Sequence, residues 1–208
     1  MEIKHVLPSD IEKESFRIIK SELVDMGKIL DSQLEPTIIR VIHTTADFEY
    51  YDTLMFSEGV IEKAKDAIRR GAHIVTDTNM TLAGISKKTL ARYGGEVHCF
   101  MADEDVALEA RQRLVTRAYI SMEKAAKLDM PLIFAIGNAP TALIKLRELM
   151  DEQGFRPKLI IGVPVGFVNV VEAKNLILES DIPYIVNRGR KGGSTVAAAI
   201  CNSILYNI

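Results

Sequence analysis

The side chains best suited to take part in a reaction lie together at positions 40–47, where a histidine follows an aliphatic run. Histidine is the side chain whose ordinary pKa lies nearest neutral pH, so His43 can hold or release a proton. Thr44 and Thr45 offer hydroxyls that donate and accept hydrogen bonds, and Arg40 can pair with a carboxylate. The combination suits acid–base chemistry on a polar, acidic substrate. The alternative from these residues alone is a core histidine with one satisfied hydrogen bond.

Two predicted helices carry this cluster. Pro36 suits the first turn of a helix, and aliphatic residues recur from Ile38 at spacings of one, three and four residues. Their β-branching leaves a strand as the alternative. An earlier helix, capped at position 9 or 10 and ending near Gly27, carries Ser15. A third helix is expected to begin at a Ser57 cap and to end at position 71.

Beyond position 71, short apolar runs alternate with helical segments. Strands alternating with helices need crossover connections and therefore form a parallel sheet. The chain is predicted to be an α/β protein, a three-layer α/β/α sandwich of flavodoxin-like type, in one domain spanning residues 1–208. Its mostly parallel five-stranded sheet is expected at residues 72–76, 96–101, 132–136, 158–161 and 184–186.

Glycine-containing turns follow the third and fourth strands, at the sheet edge where open α/β proteins bind ligands. In the first, Asn138 can cap the next helix, and the free N–H groups of that helix start suit a carboxylate or phosphate. Thr141 lies in the same turn. The second, residues 162–169, is apolar and contains Gly166. It suits a flat hydrophobic ligand, and a plain loop packed on the core is an equal alternative.

The third glycine turn, residues 188–195, is basic. It holds Arg188, Arg190 and Lys191, whereas residues 182–208 contain no Asp or Glu. A basic turn at a helix N-terminus favours an anion, and its glycines allow close approach of the backbone to a ligand. We prefer this interpretation to a solvated basic turn. The candidate binding residues here are Arg190, Gly192, Gly193 and Ser194.

Composition and motif content argue against several functional classes. The net charge of −2 offers no overall basic surface for nucleic acid or an acidic membrane. The nucleotide, hydrolase and metalloprotease motifs GxxxxGK[ST], GxGxxG, GxSxG and HExxH are absent. His5, His43, His73 and His98 fall at no ligand spacing, so no metal site is expected, and the last two are interpreted as structural. Two separated cysteines and no N-terminal signal predict a cytoplasmic protein.

Six segments, taken in order, resemble the precorrin-8X methylmutase family of cobalamin biosynthesis. They cover residues 15–19, 40–43, 71–77, 137–143, 162–168 and 189–194, so the resemblance extends along nearly the whole chain. It implies an isomerase without a cofactor that moves a methyl group from C-11 to C-12 of ring C, formally a suprafacial 1,5-shift. The product is hydrogenobyrinic acid or its cobalt form.

The resemblance also assigns roles to residues. The family histidine that matches His43 acts as proton donor or acceptor at ring C, and Ser15 and Arg40 match substrate-binding positions. The family is homodimeric, with a wide pocket near the subunit contact. The acetate and propionate groups of the macrocycle would need cations around its rim, which Arg40, Arg117 and Arg190 can supply. Residues 163–168 would form an apolar floor.

One difference from the family pattern bears on the substrate. Thr44-Thr45-Ala46-Asp47 follows His43, where other members carry Ala-Cys-Gly. This variant favours cobalt-precorrin-8 over metal-free precorrin-8X, with the cobalt carried in the substrate. Two other functions stay open: a corrinoid carrier without activity, and a nucleotide- or flavin-binding module, which the sheet type favours and the missing phosphate loop opposes.

Overall fold

The computed structural model describes residues 7–208, so His5 lies outside the described residues. A short 3-10 helix, Pro8–Asp10, precedes the first α-helix. The helices are α1 (Ile11–Asp25), α2 (Glu35–Thr45), α3 (Tyr50–Thr53), α4 (Val60–Arg69), α5 (Asn79–Gly84), α6 (Lys87–Ala91), α7 (Glu104–Arg113), α8 (Arg117–Ala125), α9 (Pro140–Gln153), α10 (Val170–Leu178) and α11 (Ser194–Leu205). The strands are β1 (Leu54–Phe56), β2 (His73–Thr76), β3 (Val97–His98), β4 (Leu132–Ile136), β5 (Leu159–Gly162) and β6 (Tyr184–Asn187).

The six strands form one sheet in the order β1-β6-β5-β4-β2-β3. Strands β2 to β6 are parallel, and their order with respect to the chain is 2-1-3-4-5, which is the flavodoxin-like order. The predicted fold class is therefore confirmed. The predicted strand count is wrong by one, because β1 adds an antiparallel edge strand to β6. With only three residues, β1 is too short to show a pattern of its own.

Alternate residues of each central strand face opposite helical layers. On one face, Ile74, Ile133 and Ile161 pack with residues of α2, α4 and α11. On the other face, Phe134 and Ile160 pack with residues of α8, α9 and α10. The buried strands are apolar on both sides because both faces of a parallel sheet are covered by helices.

Several local boundaries differ from the sequence predictions. Helix α4 begins after Gly59, and the Ser57 hydroxyl instead accepts the Tyr184 N–H at 2.9 Å. The predicted strand at 96–101 shortens to two residues. Leu114, with φ +55°, separates α7 from α8. The helix is confirmed over the strand alternative, because residues 35–45 form α2 with Pro36 in its first turn.

The helices of residues 7–208 include none with the length and apolarity required to span a bilayer.

Candidate active site at the carboxyl edge of the sheet

His43 is fixed in orientation by a residue from another helix. Its Nδ1 lies 2.8 Å from the Ser15 hydroxyl of α1, and the Phe16 ring packs edge-on against it at 5.3 Å between centroids. His43 is nevertheless exposed, in the last turn of α2. One ring nitrogen is therefore held by the protein, and the ring remains accessible to a ligand. The core-histidine alternative is wrong for this residue.

Arg40 lies one helical turn before His43 and is mostly enclosed. Its guanidinium is stacked between the rings of Phe16, at 5.2 Å, and Tyr206, at 5.0 Å, and pairs with Glu12 at 3.0 Å. Phe16, Arg40 and Tyr206 border a cavity of ≈ 570 Å³ between α1, α2 and the chain end. The two rings and Glu12 restrict the position of the guanidinium at the edge of this cavity.

The two threonines after His43 bond to their own helix. Thr44 Oγ1 donates to the Arg40 carbonyl at 2.8 Å, and Thr45 Oγ1 donates to the Val41 carbonyl at 2.9 Å. Thr45 also accepts the N–H of Asp47 at 3.3 Å, which helps to end the helix. Both hydroxyls keep acceptor capacity, but neither has a free proton to donate to a ligand in this arrangement.

The three glycine turns meet at the carboxyl edge, as predicted. The Gly193 N–H donates to the Val163 carbonyl at 2.9 Å, and the Gly166 N–H donates to the Arg190 carbonyl at 3.2 Å. A Cβ on Gly192 would lie 2.1 Å from the Val163 carbonyl oxygen, so only glycine permits this approach. The turn after β5 and the turn after β6 thus form one packed unit.

The turn after β4 packs against the same unit. A Cβ on Gly137 would lie 2.7 Å from the Cα of Ser194, the first residue of α11. The Ser194 hydroxyl bonds to Thr78, which follows β2 and caps α5, at 2.9 Å. Four loops from four neighbouring strands are therefore in contact, and their contacts involve the predicted residues Gly192, Gly193 and Ser194.

A buried lysine from α10 holds the basic turn in place. Lys174 is 1% exposed, and its ammonium donates to the carbonyls of Gly189 and Lys191, both at 2.8 Å. Burial lowers the pKa of Lys174 to about 8. The Asn187 amide donates to the carbonyls of Arg188 and Lys191 as well. Two buried side chains, Lys174 and Asn187, thus hold the backbone of the turn in place.

The basic turn is less positive in the fold than in the sequence. The Lys191 ammonium pairs with Asp47 at 2.6 Å and with Glu49 at 2.7 Å, both from the loop after α2. The hydrogen bond from Lys191 is the main cause that lowers the pKa of Asp47. These pairs connect the His43 end of α2 to the third turn. Arg190 is exposed, and its guanidinium lies 5.5 Å from the Phe167 ring centroid.

The predicted anion site at the start of α9 is occupied by the protein itself. Asp77, fully buried after β2, accepts the N–H groups of Gly137 at 2.9 Å, Asn138 at 2.8 Å and Ala139 at 2.6 Å. The expectation that these groups await a ligand is therefore wrong. Asn138 is not the cap either, because the N-cap residue of α9 is Ala139.

The exposed side of this loop forms a second cavity. It has a volume of ≈ 520 Å³, and Arg117, Asn138, Thr141 and Val168 are among its lining residues. The Thr141 hydroxyl bonds to Thr116 Oγ1 at 2.7 Å, which connects the starts of α8 and α9. Three predicted binding residues, Arg117 of α8, Thr141 of α9 and Asn138 of the loop before α9, are thus brought together at one cleft.

The apolar turn after β5 presents its side chains to solvent. Phe167 is 81% exposed and Val168 is 78% exposed, whereas Val163 is fully buried. Large exposed apolar side chains beside a cleft indicate a contact surface. The plain packed loop is therefore wrong for residues 167 and 168, although it describes the start of the turn.

Sequence reasoning missed four residues that hold this site together: Asp77, Thr78, Thr116 and Lys174. A signal was present for Asp77, because an acid directly after a buried strand lies at the edge where the turns meet. The other three act through contacts between distant segments, which no spacing rule reveals. Asp47 belongs to the predicted cluster at positions 40–47, but its pairing with Lys191 was not foreseen.

Comparisons with known proteins show the family to which this chain belongs. The family model described as precorrin-8X methylmutase matches residues 10–207. A cobalt-precorrin-8 methylmutase of Priestia megaterium is 44% identical over 96% of this chain and 88% of that protein. A precorrin-8X methylmutase of Pseudomonas aeruginosa is 34% identical over 93% of each chain. The solved precorrin-8x methyl mutase from Thermus thermophilus superposes with a TM-score of 0.84 at 42% identity, covering 95% of this chain and 96% of that one. The chain belongs to the precorrin-8X methylmutase family.

Proposed function

We propose that this chain is the isomerase that moves a methyl group from C-11 to C-12 of ring C in cobalt-precorrin-8, giving cobyrinate, the cobalt form of hydrogenobyrinic acid. One carbon–carbon bond breaks at C-11 and one forms at C-12, so no external oxidant, reductant or methyl donor is needed. Family membership and the match to methylmutases along almost the full chain support this activity. Cobalt belongs to the substrate, and the shift requires no protein-bound cofactor.

The observation that carries the residue assignment is the 2.8 Å bond between Ser15 and His43 Nδ1. If the serine hydroxyl donates, Nδ1 is the acceptor and the proton of the neutral ring lies on Nε2. His43 can then present an N–H to ring C and make the π-system poorer in electrons as the methyl group migrates. In the reverse tautomer, Nε2 accepts a proton at the same place.

Substrate binding combines an apolar surface with cations at its margin. The exposed Phe167 and Val168 suit one face of the flat macrocycle. Arg190 and Arg117 are exposed beside this surface and can pair with propionate or acetate groups. Arg40 can exchange its partner Glu12, whose side chain is 57% exposed, for a substrate carboxylate. The hydroxyls of Thr44, Thr45 and Thr141 serve as hydrogen-bond acceptors in this proposal.

The backbone around the apolar surface completes the proposed binding site. The packed unit of Gly166, Gly192, Gly193 and Ser194 keeps the turns close enough for one ligand to contact several of them. Asn138, exposed beside the second cavity, offers an amide to the macrocycle rim.

The test is an absorption assay on purified protein with cobalt-precorrin-8 and, separately, precorrin-8X. We expect conversion to the corrin spectrum, and His43→Ala should lower kcat by about 10²- to 10⁴-fold with substrate affinity largely kept. Ser15→Ala should lower kcat less, because the ring stays but its tautomer is no longer selected. Ser32→Ala, at an exposed serine in the loop between α1 and α2, serves as the control.

The two substrates separate the roles of His43. A metal-free ring nitrogen has a lone pair that accepts a proton, whereas cobalt occupies that lone pair in the cobalt form. The kcat loss of His43→Ala should therefore be larger with precorrin-8X. Equal losses of kcat and affinity would show that His43 only holds the ligand. A bound but unchanged chromophore with both substrates would establish the carrier function instead.

We propose that the active form is a homodimer. The outer surface of α1 and the segment after it expose Ile18, Val24, Met26 and Ile29, with Ile29 88% exposed. Such a row of apolar side chains beside Ser15 suits a subunit contact close to the site. Light scattering should give twice the chain mass, and Val24→Lys should yield monomers. A wild-type monomer with full activity would exclude this assembly.

We propose a cytoplasmic location for the enzyme. Cys99 and Cys201 are free, and burial raises the pKa of Cys201 to about 12, which keeps that thiol unreactive. Cell fractionation should find the protein with cytoplasmic markers. Recovery in an oxidising compartment would contradict the proposal.

A further inference from the structure

Two histidines far apart in the sequence form a pair at the edge of the sheet. His73 Nδ1 lies 2.8 Å from His98 Nε2, and both side chains are partly buried. The ring planes differ by 4° with centroids 5.1 Å apart. A nitrogen–nitrogen contact of this length between such rings means that they meet edge to edge. The two facing nitrogens are therefore directed at each other, and the ring that accepts the hydrogen bond offers its lone pair there.

Strand register brings a carboxylate to the same place. In the parallel pair of β2 and β3, Ile74 lies opposite Val97 and Val75 lies opposite His98. Residues two apart in a strand share a face, so His73, Glu96 and His98 all project from one side. One ligand atom from each of these three residues lies within 4.8 Å of the other two. Among residues 7–208, no other group of three His, Cys, Asp or Glu side chains has such spacing.

We propose that His73, Glu96 and His98 bind one divalent transition-metal ion of the zinc or cobalt type. Two imidazoles and one carboxylate are the donors that these ions share, whereas calcium and magnesium prefer oxygen ligands. A tetrahedral ion with bonds of about 2.0–2.1 Å places its ligand atoms about 3.3 Å apart. The two histidine nitrogens, now 2.8 Å apart, must therefore separate by about half an ångström, and the rings must turn so that both lone pairs meet at the ion.

The two imidazoles are already suited to ligation. A hydrogen bond between two ring nitrogens requires one of them to be unprotonated, so one imidazole already offers a lone pair. When both rings are neutral, ion binding replaces this hydrogen bond, and the ring that donated it changes tautomer without a net release of a proton. Glu96 is exposed and can turn its carboxylate toward the ion, which leaves the fourth position to water.

This site is separate from the proposed substrate site. His73 is the first residue of β2, at the opposite end of the strand from Asp77 and the glycine turns. Strand β3 has two residues and pairs only with β2, at the sheet edge. The ion would therefore fasten this edge strand to β2. It would play no part in the methyl shift, which rests on His43.

The experiment uses the full chain without a histidine tag and cobalt(II) alone as the probe. Titration should give the visible absorption of four-coordinate cobalt(II), saturating at one ion per chain, and zinc(II) should abolish it. Glu96→Gln should weaken binding at least tenfold, and His73→Gln should weaken it further. Glu179→Gln, another exposed glutamate, and His43→Ala should bind as the wild type does.

A second readout covers variants that fold poorly. Zinc(II) should raise the Tm of the wild type and of His43→Ala, and should leave the Tm of Glu96→Gln, an exposed and structurally mild change, nearly unaltered. Three results would overturn the proposal: no ion bound at millimolar cobalt(II), unchanged affinity in His73→Gln, or loss of binding in His43→Ala. Because turnover is not a readout, this outcome is independent of the methylmutase assay.

Discussion

Asp77 offers the sharpest test of how the site is held together. Its carboxylate is fully buried and accepts three consecutive backbone N–H groups of the loop that carries Asn138. Replacing Asp77 should therefore loosen the loop and destabilise the whole fold, whereas the side chain itself need not touch the substrate.

The magnitude follows from the three N–H groups. A hydrogen bond to a charged acceptor contributes about 1.5–3 kcal/mol, and a buried donor without a partner costs about 1–3 kcal/mol. The contact to Gly137 is buried, and those to Asn138 and Ala139 are partly buried, so water can replace the carboxylate there. Burial of the acid, which raises the pKa of Asp77, offsets part of the gain. Asp77→Ala should lower the free energy of unfolding by about 3–5 kcal/mol.

Asp77→Asn keeps the shape of the side chain and changes its hydrogen bonding, so it tests the hydrogen bonds separately. The amide oxygen can occupy the Oδ2 position and keep the bonds from Asn138 and Ala139. The NH₂ group then faces the Gly137 N–H, and two donors oppose each other. We expect a loss of about 1.5–3 kcal/mol, between the wild type and the alanine variant.

Urea denaturation followed by circular dichroism measures these differences, and hydrogen exchange of residues 137–139 locates them. Asp181→Asn, an exposed aspartate, is the matched control and should change little. If Asp77→Asn equals the wild type, or if Asp77→Ala costs less than about 1 kcal/mol, the carboxylate does not hold the loop and the reasoning fails.

Two further predictions concern the basic turn. Gly192→Ala places a Cβ against the Val163 carbonyl and should abolish substrate binding or folding. Gly189→Ala, which has open space around it and φ +75°, should lower the free energy of unfolding by only about 1–2 kcal/mol. Equal unfolding midpoints of the two variants would contradict this prediction. The pKa of Lys174, lowered to about 8 from 10.5 by burial, means that the folded protein loses this proton at lower pH than the unfolded chain. The free energy of unfolding should therefore rise between pH 8 and 10.5, by at most about 3 kcal/mol, relative to Lys174→Met; a flat difference between the two proteins would refute the assignment.

The parallel sheet was predictable because each strand is buried on both faces. Runs such as 132–136 are apolar throughout and are followed by glycine turns, so both the strand and its crossover helix are visible in the sequence. Strand β1 has three residues, and its pairing with β6 depends on a partner about 130 positions away. No local pattern encodes such a contact.

The parts of the site that lie in glycine turns directly after strands were predictable from the sequence. The turns after β4, β5 and β6 meet because parallel strands bring their carboxyl ends to one edge. The Ser15–His43 bond joins two helices whose relative position no spacing rule gives. The His73–His98 pair was missed for the same reason, since their separation of 25 residues matches no ligand motif and only the register of β2 and β3 unites them.

The charge of the third turn shows why composition alone overestimates an anion site. The absence of acids after position 182 predicts three free cations, yet Asp47 and Glu49 neutralise Lys191 from another segment. Arg190 keeps its charge beside the exposed Phe167 ring, because a guanidinium can stack on an aromatic face and still donate hydrogen bonds at its edge. Lys191 therefore fixes the loop after α2 to the turn, and Arg190 keeps an exposed guanidinium beside the proposed substrate surface. On the proposed function, this division of roles would let a chain of net charge −2 bind a ligand rich in carboxylates.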